Sequence, residues 1–345
     1  MKLALLFSAL LLAARSAAAP PQQAPAAVPV PASAAPSEPL EFPRAPGQLP
    51  LLVPRQEQLQ YEVRLQLGPV DARVGTVRLD SRTEPYRRSL LRPGSSRADG
   101  QEVGVLSARA FGSYTVYTLD HRLETRLLPQ DWPSLSATSN QEGTEKRRHE
   151  LLLGVRGGQP GASFRHDTKH GAPRGTRVWA PPIDVAAPAG ALDSLSAILL
   201  VRSMRRSGSP REVFVMLDKE NPWEVELTFG AGQVLELPAG RFEALPVLLR
   251  TKPWTAPGSE VPAAAPEFAG PFGIRGDIQL WVEARTGVPL RIQGSLPAGP
   301  INIDIDIRLE QHAGTPSGFG PAPETAPDSQ RASQPADGPQ QLPQR

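Results

Sequence analysis

Strict alternation of apolar and polar residues near the C-terminal end of the chain is the feature that most restricts its fold. Isoleucine or leucine occupies every odd position of residues 301–309, and polar or charged residues fill the even positions. Successive side chains of a β-strand point to opposite faces, so this stretch predicts a strand with one face on an apolar core and the other in water. Residues 59–67 alternate in the same way.

Similar short runs recur between residues 74 and 296, and several of them are separated by only a few turn residues. The connections at 218–222, 238–240 and 285–287 contain proline, glycine or asparagine. Connections this short join antiparallel neighbours, because a parallel pair needs a long crossover. The sequence therefore predicts a mainly β fold that runs as an antiparallel meander.

One apolar stretch has the spacing of a helix instead of a strand. Residues 193–206 begin with Asp193, a favourable N-cap, and end with Arg205 and Arg206, which suit the carboxyl end of the helix dipole. Apolar residues cover most of its circumference, which predicts burial on more than one side. We expect a half-barrel in which the curved sheet wraps around this one central helix.

The N-terminus has the organisation of a cleavable export signal. Lys2 precedes an apolar run from Leu3 to Leu12 that is too short to span a bilayer, and small residues follow it. Cleavage after Ala18 is expected, which makes 1–18 the signal peptide. The mature chain is then expected to be periplasmic or secreted and not an integral membrane protein.

Proline-rich segments flank and interrupt the β region. Residues 19–50 predict a disordered tether, residues 51–312 the half-barrel domain, and residues 313–345 a disordered tail. A segment rich in proline, glycine and alanine at 252–276 separates two strand runs. A connection this long is either a lid over an opening or a disordered insertion, and the sequence leaves both alternatives open.

Composition and missing motifs exclude several classes of chemistry. The chain has no cysteine, which excludes disulfides, thiolate nucleophiles and iron–sulfur clusters. Its net charge is only +2, which argues against a nucleic-acid binder. The sequence contains no nucleophile elbow, phosphate-binding loop or dinucleotide glycine fingerprint. We therefore predict a protein without enzymatic activity, cofactor or metal.

Four groups of polar residues suggest chemistry but have plainer structural interpretations. Two are histidine groups in or beside loops, one is a carboxylate pair on the polar face of a strand, and one is a tripeptide that recurs by chance. They are His166 with His170, Asp120 with His121, Asp304 with Asp306, and Arg275-Gly276-Asp277.

Several short motifs occur in order over residues 59–310: Tyr61, Gly75, Asp193-Ser194-Leu195-Ser196-Ala197 with Arg202, the stretch 237–242, and Trp281 with 287–291. In their order and spacing they resemble a bacterial envelope family known as domain of unknown function 3108. The resemblance implies a half-barrel similar to that of lipoprotein carriers, and it implies no catalytic residues. The proline-rich ends and the 252–276 insertion depart from the family pattern.

These features favour a non-enzymatic cell-envelope protein whose half-barrel shelters an apolar groove. A lipid or acylated ligand is the expected occupant, and Leu195, Leu199 and Trp281 are the candidate lining residues. The alternative is an interaction or scaffold module that binds envelope proteins and whose groove is filled by its own side chains. A third hypothesis, an atypical hydrolase, requires His, Asp and Ser or Glu to meet in one pocket.

Overall fold

The computed structural model describes residues 49–51, 53–67, 70–85, 102–114, 117–127, 134–156, 159–168, 176–258, 267–298 and 301–321. These residues form sixteen β-strands, one α-helix and a single 3₁₀ turn at Pro271–Gly273. The predicted export signal at 1–18, nearly all of the predicted tether at 19–50 and most of the predicted tail lie outside the described residues.

The regular elements have the following bounds. The helix α1 spans Ser194–Ser207. The strands are β1 (Gln58–Leu67), β2 (Val70–Pro85), β3 (Glu102–Tyr114), β4 (Tyr117–Leu127), β5 (Ser134–Gly143), β6 (Arg147–Arg156), β7 (Gln159–Thr168), β8 (Val178–Trp179), β9 (Ile183–Ala186), β10 (Arg211–Asp218), β11 (Asn221–Phe229), β12 (Gln233–Leu237), β13 (Gly240–Pro253), β14 (Arg275–Glu283), β15 (Pro289–Ala298) and β16 (Ile301–Ala313).

All sixteen strands belong to one open antiparallel sheet. Strands β1 to β8 are neighbours in chain order, β10 to β16 form a second series, and pairing of β1 with β16 joins the two. Strand β12 pairs with β13, and β9 pairs with β7. The predicted mainly β, antiparallel fold around one helix is confirmed, and the sheet does not close into a barrel.

The two ends of the sheet overlap instead of pairing. In β10, Phe214 and Met216 belong to the main core, whereas Leu217 packs in a second apolar cluster with Leu151 of β6 and Phe164 of β7. Alternate side chains of a strand point to opposite faces, so β10 is buried on both sides. The sheet is therefore rolled like a scroll, with β10 between its interior and its far end.

A short bridge covers part of the free edge of β10. The backbone N–H of Leu192 donates to the carbonyl of Val215 (2.9 Å), and the N–H of Leu217 donates to the carbonyl of Leu192 (2.8 Å). These bonds satisfy backbone groups that an edge strand otherwise leaves unpaired. The segment between β9 and α1 thus holds the rolled edge in place.

The helix begins and ends at capping residues. Asp193 Oδ1 accepts hydrogen bonds from the N–H groups of Leu195 (2.9 Å) and Ser196 (3.3 Å), and from the hydroxyl of Thr125 in β4 (2.6 Å). Gly208 ends the helix with a φ of 76°, a left-handed conformation that glycine adopts without strain. The observed bounds match the predicted helix at about 193–206.

A buried ion pair fixes the helix to the sheet. Arg202 donates through Nη1 to Glu57 Oε1 (3.1 Å) and through Nη2 to Glu57 Oε2 (2.5 Å). The two side chains are only 4% and 2% exposed. The N–H of Glu57 donates to Ser81 Oγ (2.9 Å), which extends the connection from α1 to β2.

Two further motif residues pack beside this ion pair. Tyr61 donates its phenol to the carbonyl of Pro289 (3.0 Å), and burial raises the pKa of Tyr61, which keeps the donor protonated. Gly287, in the turn between β14 and β15, lies against the helix, because a Cβ there would come within 3.0 Å of Arg202 Cα. A larger residue would push this turn away from α1.

The described domain reaches beyond the boundary expected at residue 312. Strand β16 continues to Ala313, and residues 314–321 fold back onto the domain. Phe319 lies against Phe242, with ring centroids 5.4 Å apart, and against His312, with centroids 4.7 Å apart. The first part of the predicted tail therefore belongs to the folded unit.

We predict that Arg202→Met lowers the free energy of unfolding by about 3–5 kcal/mol, because it leaves Glu57 charged and unpaired in the interior. Urea denaturation measures the change. The matched control is Arg211→Met, which removes an exposed pair with Glu226 and should change little. Equal stability of both variants would show that the buried pair does not hold the helix.

Candidate functional site on the inner face of the rolled sheet

Two pieces of the chain fill the inner face, defined as the face of the sheet that carries α1. One is α1 itself, and the other is the plug segment, residues 267–274, which forms the second half of the predicted insertion at 252–276. Along β4, Thr125 contacts the N-cap of α1, and His121, on the same face of the strand, contacts Phe272 of the plug segment. The helix and the plug segment therefore lie side by side in one interior.

The plug segment is apolar and packs deeply. Phe268 and Ile274 are buried in the main core. Phe268 meets Trp223 of β11 edge-on, with centroids 5.4 Å apart, and Phe272 meets His121 edge-on at 5.5 Å. This part of the insertion is therefore neither a lid outside the opening nor a solvated loop, because it occupies the interior.

Few polar contacts anchor the plug segment. The N–H of Ala269 donates to Asp218 Oδ2 (3.3 Å), at the end of β10. The remaining backbone bonds are local, from Gly270 N to Ile274 O (2.7 Å) and from Gly273 N to Gly270 O (3.0 Å). Packing of its apolar side chains accounts for most of its attachment.

The three candidate groove residues are all buried members of the main core. Leu195 and Leu199 are each 1% exposed and pack in the main core on the inner face. Trp281 alternates with Leu280 and Val282 along β14, and its opposite neighbour in β15 is Arg291, whose guanidinium lies 5.3 Å above the Trp281 ring. Trp281 is itself 7% exposed and belongs to the same core cluster as the two leucines, so the protein's own side chains enclose it as well.

Backbone strain is concentrated near the plug segment. Among the described residues, only Lys219 (φ 57°) and Phe272 (φ 60°) are non-glycine residues with a positive φ. Lys219 directly follows Asp218, the residue that anchors the plug segment, and Phe272 belongs to that segment. Left-handed conformations of such residues are unfavourable and tend to occur at functional sites.

Polar side chains of β4, β5 and β6 line the same end of the interior. His121 Nε2 lies 2.8 Å from Ser139 Oγ, and Ser139 is opposite His149 in the strand register. Burial lowers the pKa of His121 to about 4 and the pKa of His149 to about 3, so both rings are neutral at pH 7. We call His121, Ser139 and His149, together with the exposed Lys219 of the β10–β11 turn, the polar end of the interior.

The polar end does not form a catalytic triad from the described residues. Ser139 and His121 have the spacing of a nucleophile and a base, but Ser139 is only 5% exposed. Asp120 points to the opposite face, where both of its carboxylate oxygens accept from Arg109 at 2.8 Å. No described carboxylate accepts a hydrogen bond from His121, so the third member of a triad is not supplied.

The other polar groups singled out in the sequence are engaged elsewhere or separated. Asp306 accepts two bonds from Arg291 (2.8 and 2.6 Å), which leaves Asp304 alone on its exposed face. Arg275 pairs with Glu267 (3.0 Å). His166 is exposed on β7, and His170 lies outside the described residues. Within the described ranges, no three His, Asp or Glu side chains are grouped as metal ligands.

Comparison with known proteins does not identify the chain. Neither family models, nor curated proteins, nor solved structures gave a significant match. In the part of the chain that the structure describes, no helix has the length and apolar character needed to cross a membrane.

We predict that the free energy of unfolding falls as the pH is lowered from 6.5 to 4. The folded protein keeps His121 and His149 neutral in this range, whereas the unfolded chain protonates both near pH 6.5 and so binds more protons. Each ring contributes up to about 1.4 kcal/mol per pH unit. Urea denaturation at several pH values measures the slope.

The variants His121→Gln and His149→Gln should each make this slope shallower, because they remove a ring that only the unfolded chain protonates. The matched control is His312→Gln, on an exposed part of β16, which should keep the wild-type slope. If both buried-site variants kept the wild-type slope, the conclusion that folding keeps His121 and His149 neutral would be wrong.

Proposed function

We propose that this protein is a non-enzymatic, exported cell-envelope protein that binds an apolar chain, such as the acyl chain of a lipid, inside the rolled sheet. The ligand takes the space that the plug segment occupies in the free protein. The carrying observation is that an irregular apolar segment packs beside the helix with only two side-chain hydrogen bonds to the sheet, one at Asp218 and one in the exposed Glu267–Arg275 pair. Export is supported by the signal-like N-terminus, and it remains part of the proposal.

The helix α1 and the plug segment are attached to the sheet in different ways. This difference supports displacement of the plug segment, and not of the helix, by a ligand. α1 is held by the buried Arg202–Glu57 pair and by the cap at Asp193, and removal of either partner leaves a buried charge. The plug segment is held by the Ala269–Asp218 bond, the exposed Glu267–Arg275 pair and apolar contacts. Its departure therefore exposes apolar surface, which a bound acyl chain covers again.

Burial of the plug segment and burial of an acyl chain in its place contribute free energies of comparable size. Burial of Phe268, Phe272 and Ile274 stabilises the plugged state by about 1.5–3 kcal/mol for each fully buried side chain. An acyl chain gains about 0.8 kcal/mol for each methylene that it buries, so roughly eight methylenes offset the plug segment. Release of the left-handed backbone of Phe272 further favours exchange.

The alternative function is that of an interaction or scaffold module. The complete packing of the helix favours it, since Leu195 and Leu199 are each only 1% exposed. In that case the plug segment is a permanent part of the core, and partners bind the outside of the sheet. Crosslinked envelopes would then yield the protein together with a defined partner.

We predict that delipidated protein binds the neutral fluorescent probe N-phenyl-1-naphthylamine, and that Phe268→Ala/Phe272→Ala binds it several-fold more tightly. The double variant weakens the plug segment without touching the helix. Fluorescence titration measures the affinity, and native mass spectrometry of protein purified without delipidation identifies co-purified lipid. The matched control is Phe111→Ala, whose ring is 43% exposed on the outer face and should leave the affinity unchanged.

Absence of probe binding in both the wild type and the double variant, together with absence of co-purified lipid, would overturn the proposal. Equal affinities of the wild type and the double variant would show that the probe binds somewhere other than the space of the plug segment.

A further inference from the structure

The polar end of the interior lies where the plug segment is attached. Asp218, which accepts the N–H of Ala269, is the last residue of β10, and Lys219 follows it in the turn to β11. His121 contacts Phe272, and Trp223 contacts Phe268. Any ligand that displaces the plug segment therefore meets Lys219, His121 and Trp223 at one end of its chain.

Lys219 is exposed in the turn between β10 and β11, where Asp218 and Glu220 flank it, and it forms no salt bridge with a described carboxylate. By contrast, Lys252 pairs with Glu224 (2.9 Å) and Lys146 with Glu142 (3.7 Å) on the surface. Lys219 also has a left-handed backbone, a position where glycine or asparagine fits with less strain. The two-residue hairpin turn accounts for the positive φ of Lys219, and it leaves the charged side chain in solvent.

A second donor at this end is buried and unused. Trp223 is 5% exposed, and its Nε1 has no hydrogen-bond partner, although its ring packs against Phe268. A buried N–H without an acceptor costs free energy, and a ligand oxygen would satisfy it. The donor lies four residues after Lys219 in the same hairpin.

The surroundings of His149 are basic. After burial itself, Lys219, His121 and His166 lower the pKa of His149, and Lys219 supplies positive charge at pH 7 whereas His121 is neutral. The nearest carboxylate in the turn, Asp218, already accepts the N–H of Ala269, and burial raises the pKa of Asp218. The local arrangement therefore suits a negative group better than a positive one.

We infer that the apolar ligand carries an anionic head group, a carboxylate or a phosphate, which binds at the polar end against Lys219, the Trp223 indole N–H and the neutral imidazoles. This inference rests on the proposed function, because the acyl chain of the same ligand replaces the plug segment. A free fatty acid and a phospholipid derivative share this chemistry. Head-group binding and displacement of the plug segment occur at one place and reinforce each other.

Displacement of N-phenyl-1-naphthylamine from the delipidated full-length chain tests the inference. The three competitors are hexadecanoate, hexadecyl phosphate and hexadecanol, which share a sixteen-carbon chain and differ in head group. For the wild type, we expect an anionic competitor to act at a concentration about tenfold lower than hexadecanol. The better of the two anions distinguishes a fatty-acid carboxylate from a lipid phosphate.

Lys219→Met should raise about tenfold the concentration of each anionic competitor that is needed to displace the probe, and it should leave the concentration of hexadecanol unchanged. Lys219→Asn, which suits the left-handed backbone, should do the same and guards against misfolding of the methionine variant. Trp223→Phe keeps the ring beside Phe268 but removes the donor, and it should weaken the anions several-fold. The matched control is Lys252→Met on the outer face, which should behave as the wild type.

The outcomes separate this inference from the proposed function. Equal displacement by all three competitors, with no effect of either Lys219 variant, would overturn the anionic head group while leaving chain binding intact. Failure of the probe to bind the wild type and the plug double variant would overturn chain binding, and the head-group inference with it.

Discussion

The buried ion pair between Arg202 and Glu57 is the constraint on which the arrangement of the interior depends. Two charges removed from water are tolerated only when their geometry is good, and here both guanidinium nitrogens meet both carboxylate oxygens. This requirement fixes the position of α1 relative to the start of β1. It also explains the close approach of the β14–β15 turn, where Gly287 leaves no side chain between the turn and the helix. The helix is therefore a fixed wall of the interior and not a movable part.

Because α1 is fixed, the remaining space on the inner face is left to a segment with no regular structure. The rolled sheet is too long to be filled by fourteen helical residues alone, and the plug segment completes the packing with Phe268, Phe272 and Ile274. A segment that packs through apolar side chains, with one hydrogen bond to Asp218 and an exposed ion pair, separates from its surroundings at lower cost than a helix held by buried charges. The helix is thus the permanent part of the interior and the plug segment the exchangeable part. This difference supports the proposal that the ligand occupies the space of the plug segment.

Local patterns in the sequence predicted the elements, whereas their assembly needed the structure. The alternation at 301–309 predicted β16, and Asp193 with Arg205 predicted the ends of α1 closely, because both signals act within a few residues. Pairing of β1 with β16 joins residues about 250 positions apart, and no local pattern encodes such a register. The overlap at β10 did leave a signal, since Phe214, Val215, Met216 and Leu217 are consecutive apolar residues, as expected of a strand buried on both faces. Composition identified 252–276 as irregular, but its aromatic residues have no period that predicts burial. The polar end comes from three separate strands and a turn, so its residues could not be grouped from the sequence.

The co-occurrence of strain and an unused donor at one end of the interior is the strongest argument that this end does more than stabilise the fold. A left-handed non-glycine residue costs about 1–3 kcal/mol, and both such residues of the described chain, Lys219 and Phe272, belong to the elements that meet there. The free N–H of Trp223 adds a further unfavourable term. Buried polar atoms without a partner also occur elsewhere, including Arg202 Nε on the helix, so their number does not distinguish this end. What distinguishes it is that both left-handed residues and the unused Trp223 N–H adjoin the plug segment, and this coincidence favours an occupant that supplies an acceptor there.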